Sequence, residues 1–333
     1  LYSNSNGFGN QAIGAYALGG NTTGALNTAI GFRSLRYNNG QENTAIGVDA
    51  LYNNTTGYDN VALGNGALEN NYGGYGNTGV GYSTLTSNQS GMENTAIGYN
   101  ADVNSFNLSN ATAVGASALA TASNQVMLGN TAVTSVKAAG SFVIYSDGRF
   151  KKNIKENVPG LNFINQLKPV TYNYDIHKLN EYMQPQENAA NDKNGLQKRP
   201  MTANNESEKI KEDAMIAKEK KTYTGFVAQD VEKIADKMGY DFSGVYKPQN
   251  DKDPYGISYA DFVVPLVKAV QELSKENEDQ KKVNNDLQNQ INELRELLSA
   301  PVGKQNNTGN SSLHISLAPN PVSSVSTLLI NGN

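Results

Sequence analysis

The chain of 333 residues contains no cysteine and no tryptophan, only 2 histidines, and only 17% charged residues. Without thiols there is no disulfide framework and no thiolate metal site, and the redox compartment stays undetermined. The two histidines, His177 and His314, lie in polar stretches with no companion ligands at metal spacing, so no metal and no other cofactor is expected. A formal net charge of −4 gives no electrostatic reason to expect nucleic acid or an anionic membrane as a partner. The longest apolar runs, such as FVVPLV at 262–267, fall far short of the roughly 18 residues of a membrane-crossing helix, so no membrane span is expected here. The first residue is Leu1 rather than Met, so nothing follows about a signal peptide or an N-terminal anchor.

What is present is a repeat. Aligned on one glycine, the chain reads NQAIG ending at Gly14, NTAIG at Gly31, NTAIG at Gly47, NVALG at Gly64, NTGVG at Gly81, NTAIG at Gly98 and ATAVG at Gly115. A divergent QVMLG ends at Gly129, and the successive steps are 17, 16, 17, 17, 17, 17 and 14. A unit of about 17 residues is too short for a packed helix pair, and each glycine costs a helix roughly 1 kcal/mol. Two short strands joined by turns, forming one coil of a parallel β-solenoid, fit the period. In NTAIGVDAL the aliphatic positions Ile46 and Leu51 recur along the chain, so each coil can stack its aliphatics on the next. Asparagine before the strand suits a turn by bonding its own backbone, and glycine after it tolerates positive φ. A disordered Gly/Asn tract has no reason to hold an aliphatic in register this often.

These repeats, over about residues 7–135, resemble the head region of trimeric autotransporter adhesins and related phage fibre proteins. The resemblance implies a parallel β-roll with three chains side by side. Small residues such as Ala45 and Gly47 would then allow close approach, either of a partner chain or across the coil interior; the sequence leaves both open. A glycan-hydrolysing spike would need clustered carboxylates. The acids of the head are few (Glu42, Asp49, Asp59, Glu69, Glu93, Asp102), and only Asp49 falls in the repeated NTAIGVDAL unit.

Downstream the character changes at YSDGRFKKNI, residues 145–154, where a nearly uncharged run meets a lysine-rich one. Ser146, Asp147, Arg149, Lys151, Asn153 and Ile154 make a Ser-Asp-x-Arg-x-Lys-x-Asn-Ile pattern, with Phe150 where leucine is usual. This stretch is similar to the start of the intramolecular chaperone domain of endosialidases and other phage tailspikes, a self-cleaving peptidase group. YTGFVAQDVEKI at 223–234 and YGISYADFVVPLVKAVQEL at 255–273 resemble its later signatures. The resemblance implies that Ser146 is a nucleophile and Lys151 its general base, cutting the Tyr145–Ser146 bond once per chain. Asp147, Arg149 and Asn153 would support the turn, while Lys152 and Lys155 read as exposed charges. A serine hydroxyl needs a neighbouring base, and a lysine serves only where desolvation favours its neutral form. A Ser-Lys pair needs no histidine.

Further on, GLNFINQL at 160–167 has helical spacing, VTYNYD and YTGFVAQ read as strands, and DVEKIADKM as a helix with Asp230 at its N-cap, ended by Gly239. Residues 178–221, rich in Asn, Lys, Glu and Gln, read as an insertion, mobile or forming an extended arm. From about Tyr259 to Ser299 a long helix carries a heptad seam: Leu266, Val270, Leu273, Asn277, Gln280, Asn284, Leu287, Ile291, Leu294 and Leu298. Polar Asn277, Gln280 and Asn284 cost stability there and set register and strand number. Near the end, APNPVSS with following aliphatics resembles the start of the C-terminal sorting domain of type IX secretion in Bacteroidota.

The expected architecture is multi-domain: an all-β parallel solenoid head, trimeric, at 1–135 and a connector at 136–145. An α+β chaperone domain follows at 146–276, then a trimeric coiled coil at 277–299, a linker at 300–312 and the start of a sorting domain at 313–333. The expected function is a homotrimeric fibre or adhesin, secreted or on the cell surface, whose chaperone domain drives assembly and then cuts itself off. Its head would meet an unknown surface receptor or glycan. The alternative is an adhesin that never cuts and keeps its C-terminal part as a stalk, and a phage tail fibre is the alternative setting.

Overall fold

The computed structural model describes residues 1–184, 205–299, 313–316 and 327–330. Its contacts divide the chain into two units, Leu1–Glu272 and Leu273–Asn333.

The first unit begins with the solenoid. Strands β1 (Gln11–Ile13), β2 (Thr28–Ile30), β3 (Thr44–Ile46), β4 (Val61–Leu63), β5 (Thr78–Val80) and β6 (Thr95–Ile97) stack in parallel; β7 (Asp102–Val103), β8 (Thr112–Val114), β9 (Leu119–Ala120) and β10 (Val126–Leu128) complete the head. Eight of them form one sheet in the order β1-β2-β3-β4-β5-β6-β8-β10, with β7 and β9 paired separately. Register is in phase throughout, Ala29 facing Ala45 and Ala45 facing Ala62.

Each coil contributes one strand rather than the expected two, except where β7 and β9 add a second. The opposite wall is a turn in which Leu18, Leu35, Leu51, Leu68 and Leu85 sit at φ near +50°. That backbone is costly for leucine, yet it lets each leucine point inward while its N–H bonds the next coil, as Leu51 N–H does to the Ala67 carbonyl at 3.0 Å. Across from these leucines lie Ala29, Ala45, Ala62 and Ala96, all fully buried. The coil interior is thus one leucine and one alanine wide. Ala45 faces inward, and Ile46 is turned outward, 38% exposed. The expected stacking of Ile46 therefore occurs outside the core, because adjacent strand residues point to opposite faces.

The asparagines do more than shape turns. Asn27, Asn43, Asn60, Asn77 and Asn94 are fully buried. The side-chain amide of Asn43 donates to Oδ1 of Asn27 at 3.1 Å, Asn60 to Asn43 at 3.1 Å and Asn77 to Asn60 at 3.2 Å. A second column runs through Asn21, Asn38, Asn54, Asn71 and Asn88, with Asn71 donating to Asn54 and Asn88 to Asn71 at 2.9 Å each. Each coil thereby satisfies buried polar groups of its neighbour.

After the connector the chain forms α1 (Leu161–Ile164), β11 (Val170–Tyr172), α2 (Ile176–Met183), α3 (Asn205–Lys220), β12 (Tyr223–Gly225), α4 (Ala228–Lys237), β13 (Val245–Tyr246) and β14 (Gly256–Ile257). β11 pairs antiparallel with β12, and β13 with β14. Phe163, Val231, Phe242, Val245 and Phe262 form a separate core, with the Phe242 and Phe262 rings 4.8 Å apart. The helix expected to be capped by Asp230 starts earlier, at Ala228; Asp230 lies in its first turn, where its charge still favours the helix dipole. Within the stretch read as an insertion, α2 and α3 are helical among the described residues.

Helix α5 runs over Val263–Ser299, preceded by a short 3-10 turn at Tyr259–Phe262. In the second unit it is followed by β15 (Leu313–Ser316) and β16 (Thr327–Ile330), an antiparallel pair. Linker 300–312 and the APNPVSS segment lie outside the described residues. Among the described residues no helix is long and apolar enough to cross a membrane.

Candidate functional site

The seam folds on itself through one acidic side chain. Asp147 accepts from the Arg149 N–H at 2.9 Å and pairs with the Arg149 guanidinium, Nη2 to Oδ2 at 2.6 Å. This closes a 3-10 turn at Gly148–Phe150, and the Lys151 N–H bonds the Gly148 carbonyl at 3.2 Å. The turn reverses the chain so that Lys151 returns to Ser146, its Nζ donating to Oγ at 2.8 Å. The Arg149 guanidinium holds the Asp147 carboxyl below the usual carboxylate range, and Asp147 holds Arg149 above its own. Asn153 ends the segment at φ +55°, a left-handed position that asparagine tolerates. Five residues named from the sequence thus meet in one loop: Ser146 and Lys151 touch, Asp147 and Arg149 shape the turn, and Asn153 lies just beyond it.

The loop is open to solvent. Residues 135–157 are all exposed, Tyr145 fully so, and the run Phe142, Val143, Ile144 and Tyr145 is uncovered. Phe150 and Ile154 beside the dyad are uncovered as well. A second apolar strip runs up the outer side of the sheet through Ile13, Ile46, Leu63, Ile97 and Leu128, each at the last position of its strand. In α5 the seam residues Leu266, Val270, Leu273, Leu287, Ile291 and Leu298 are exposed, with Gln280 donating to Asn284 at 2.9 Å along the same stripe. Asn277 lies exposed on it too.

Upstream, the connector is held at its root. Lys218 of α3 donates to the carbonyls of Thr131 and Val133 at 2.6 and 3.1 Å, and Thr131 Oγ1 lies 2.5 Å from Asn180 Oδ1. Partial burial pushes the Lys218 amine down. Nothing in the sequence singled out Lys218, one of several lysines on a charged helix. His177 lies in a polar stretch that gives no sign of its partners. It is exposed but engaged, its ring nitrogens on Glu219 at 2.7 Å and Glu212 at 3.1 Å, which push it up.

No match to a curated protein was found for the chain. Residues 146–240 match a family profile, peptidase S74, described as chaperone of endosialidase, and its first matched residue is the serine that Lys151 touches. The chain carries a parallel β-solenoid followed, at 146–240, by a domain of the peptidase S74 chaperone-of-endosialidase family.

Proposed function

We propose that this protein is a homotrimeric fibre or adhesin, secreted or displayed on a cell surface, whose C-terminal domain assembles the solenoid and then cuts the Tyr145–Ser146 bond. The observation that carries the reading is the 2.8 Å contact between Lys151 Nζ and Ser146 Oγ at the first residues of the family match. Self-association is supported by three uncovered apolar features on one protomer: the strand strip, the Phe142–Tyr145 run and the α5 seam. Exposed apolar patches of this kind commonly mark association surfaces.

The chemistry follows from proximity. In a lone protomer the pair is open to solvent, and while Nζ donates to Oγ it cannot accept the hydroxyl proton. Packing against other copies excludes water and favours the neutral amine. That amine takes the Ser146 proton as Oγ attacks the Tyr145 carbonyl carbon, giving a cyclic tetrahedral intermediate. Collapse breaks the C–N bond, the proton passes to the Ser146 nitrogen, and an ester joins Tyr145 to Oγ. Water then hydrolyses the ester, releasing the Tyr145 carboxylate. The reacting carbonyl and hydroxyl are adjacent in the chain, so much of the rate comes from intramolecularity.

The second reading is a permanent stalk that never cuts, favoured by the full exposure of the loop in one protomer. If a C-terminal sorting signal directs export, the first reading requires that cutting follow export. Denaturing gels of the full chain beside Ser146→Ala and Lys151→Ala decide between them. Fragments of 1–145 and 146–333 from the unaltered chain alone support cutting; an intact chain under all conditions, with trimers by sedimentation, leaves the stalk. A folded monomer at high concentration overturns both.

A further inference from the structure

Beyond the seam, the solenoid and the C-terminal part of the first unit meet at a second place far from it in sequence. The loop between β13 and β14 lies against the last coils of the head. Thr121 Oγ1 donates to Asp253 Oδ1 at 2.6 Å, Asn250 Nδ2 donates to the Thr121 carbonyl at 2.6 Å, and Asn104 Nδ2 reaches the Lys252 carbonyl at 3.4 Å. Asp253 is fully buried. Its other oxygen accepts from the Tyr246 hydroxyl at 2.5 Å and from the Gln249 N–H at 3.0 Å. Burial and the bond to Asp253 push Tyr246 up to about 12, so that hydroxyl stays a donor in any physiological buffer.

A buried carboxylate persists only where donors surround it. Here the donors come from both sides: Tyr246 and Gln249 from the hairpin, Thr121 from the head. The end of a solenoid also needs covering, since its last coil has no successor to take its polar groups. Asn250 and Asp253 supply those missing partners at Thr121. The Lys218 and Asn180 contacts to Thr131 and Val133 make a second clamp on the same end.

We propose that the 249–253 loop is the end cap of the head and a tether, which keeps the head joined to the C-terminal part after the connector is severed. Cutting and release are then separate events. The tether itself does not depend on self-cleavage, and only its use in a cutting fibre rests on the function proposed above.

The test is made on the full chain carrying Ser146→Ala, with residues 137–144 replaced by the recognition sequence of a specific protease. After digestion the material is run by size exclusion at micromolar concentration, and the peaks are read on denaturing gels. The two halves are expected to co-elute. With Asp253→Ala and Lys218→Met together, the apparent dissociation constant of the cut halves is expected to rise at least tenfold. Thr121→Val, which alters the head side alone, is expected to weaken the tether in the same direction and covers the case in which the double variant misfolds. Halves that separate at once in the otherwise unaltered chain, or variants that hold as tightly as their parent, overturn the proposal. Self-cleavage is read on the unaltered chain, so its absence leaves this result standing.

Discussion

Replacing Asn60 by alanine tests whether buried asparagine columns, rather than the leucine column alone, hold the coils together. Asn60 is fully buried. Its amide donates to the Gly74 carbonyl at 2.9 Å and to Asn43 Oδ1 at 3.1 Å, and its Oδ1 accepts from the Asn77 N–H at 2.9 Å and the Asn77 amide at 3.2 Å. Alanine removes all four bonds. Three of the abandoned groups keep another partner. The Gly74 carbonyl still accepts from Asn71 at 2.8 Å, Asn43 Oδ1 from the Asn60 N–H at 3.1 Å, and the Asn77 amide still donates to Gly91 at 2.9 Å. The Asn77 N–H keeps none of its bonds and is left buried. Four bonds at roughly 0.5–1 kcal/mol each, with one orphaned donor costing roughly 1–3 kcal/mol, give a loss of about 3–7 kcal/mol. Because each coil contacts only its neighbours, the loss is local. Hydrogen exchange of amides 58–80, followed against urea, reads it. Asn60→Asp keeps the volume but cannot donate to Gly74 or Asn43, so it is expected to lose at least as much. A change under about 1 kcal/mol in both variants would refute the reasoning and leave the leucines as the dominant tie.

Two further outcomes follow from the same structure. Burial pushes Asp102 up from 3.8 to about 6, against bonds from the Val103 and Ser87 N–H groups and the Thr86 hydroxyl. Its folded value lies above its unfolded one, so its contribution is fully present below the unfolded value and is lost as pH rises through 6, with ~3 kcal/mol as a ceiling. Exchange protection of residues 86–103 should therefore fall from pH 4 to pH 7.5, and Asp102→Asn should flatten that slope; an unchanged slope refutes it. In α5, replacing Asn277 and Asn284 together by leucine should raise the denaturation midpoint of the assembly while broadening its oligomeric state, seen by sedimentation equilibrium. A single unchanged species with unchanged stability would show that these positions do not face a partner helix.

How much of this was readable in the sequence depended on how local each constraint was. The period was legible because every coil repeats one demanding backbone. At Gly47, φ is +142° and a Cβ would stand 2.3 Å from the Gly64 carbonyl oxygen, so only glycine fits at that step. The inside and outside of the strand were not legible, because Ala45 and Ile46 are both apolar neighbours. Only the width of the coil, filled by Leu51 from the far wall, decides that the smaller one goes in. The second strand failed for the same reason: leucine at φ near +50° is a poor expectation from propensity and is imposed by stacking. Asparagine was assigned a local turn because its reach to the next coil is a tertiary fact. The Ser146 and Lys151 pair was legible at a spacing of five, bridged by one turn that Asp147 and Arg149 close. Thr121 and Asp253, 132 residues apart, gave no signal at all.

The two ends of that last pair bear on how such a head forms. A single coil closes only short turns of its own, such as the Asn71 N–H to the Leu68 carbonyl; its strand, its leucine N–H groups and its asparagine ladders look to a neighbour. The first coil to order therefore gains little against its loss of chain entropy, which makes nucleation the hard step. The C-terminal part has its own aromatic core around Phe163 and Phe242 and does not need the head to complete it. With the 249–253 loop as end cap, that part presents Asn250 and Asp253 as partners already in place for Thr121, and each coil laid on the last one meets a finished surface. On that proposal, growth would run from the C-terminal coil toward Leu1, against the direction of synthesis. If these contacts outlast the covalent link as proposed, a head cut at the seam would stay joined to its C-terminal part. Under the proposed tether, the requirement that cutting follow export would be relaxed, and release of a cut head would be set by the lifetime of these buried polar contacts.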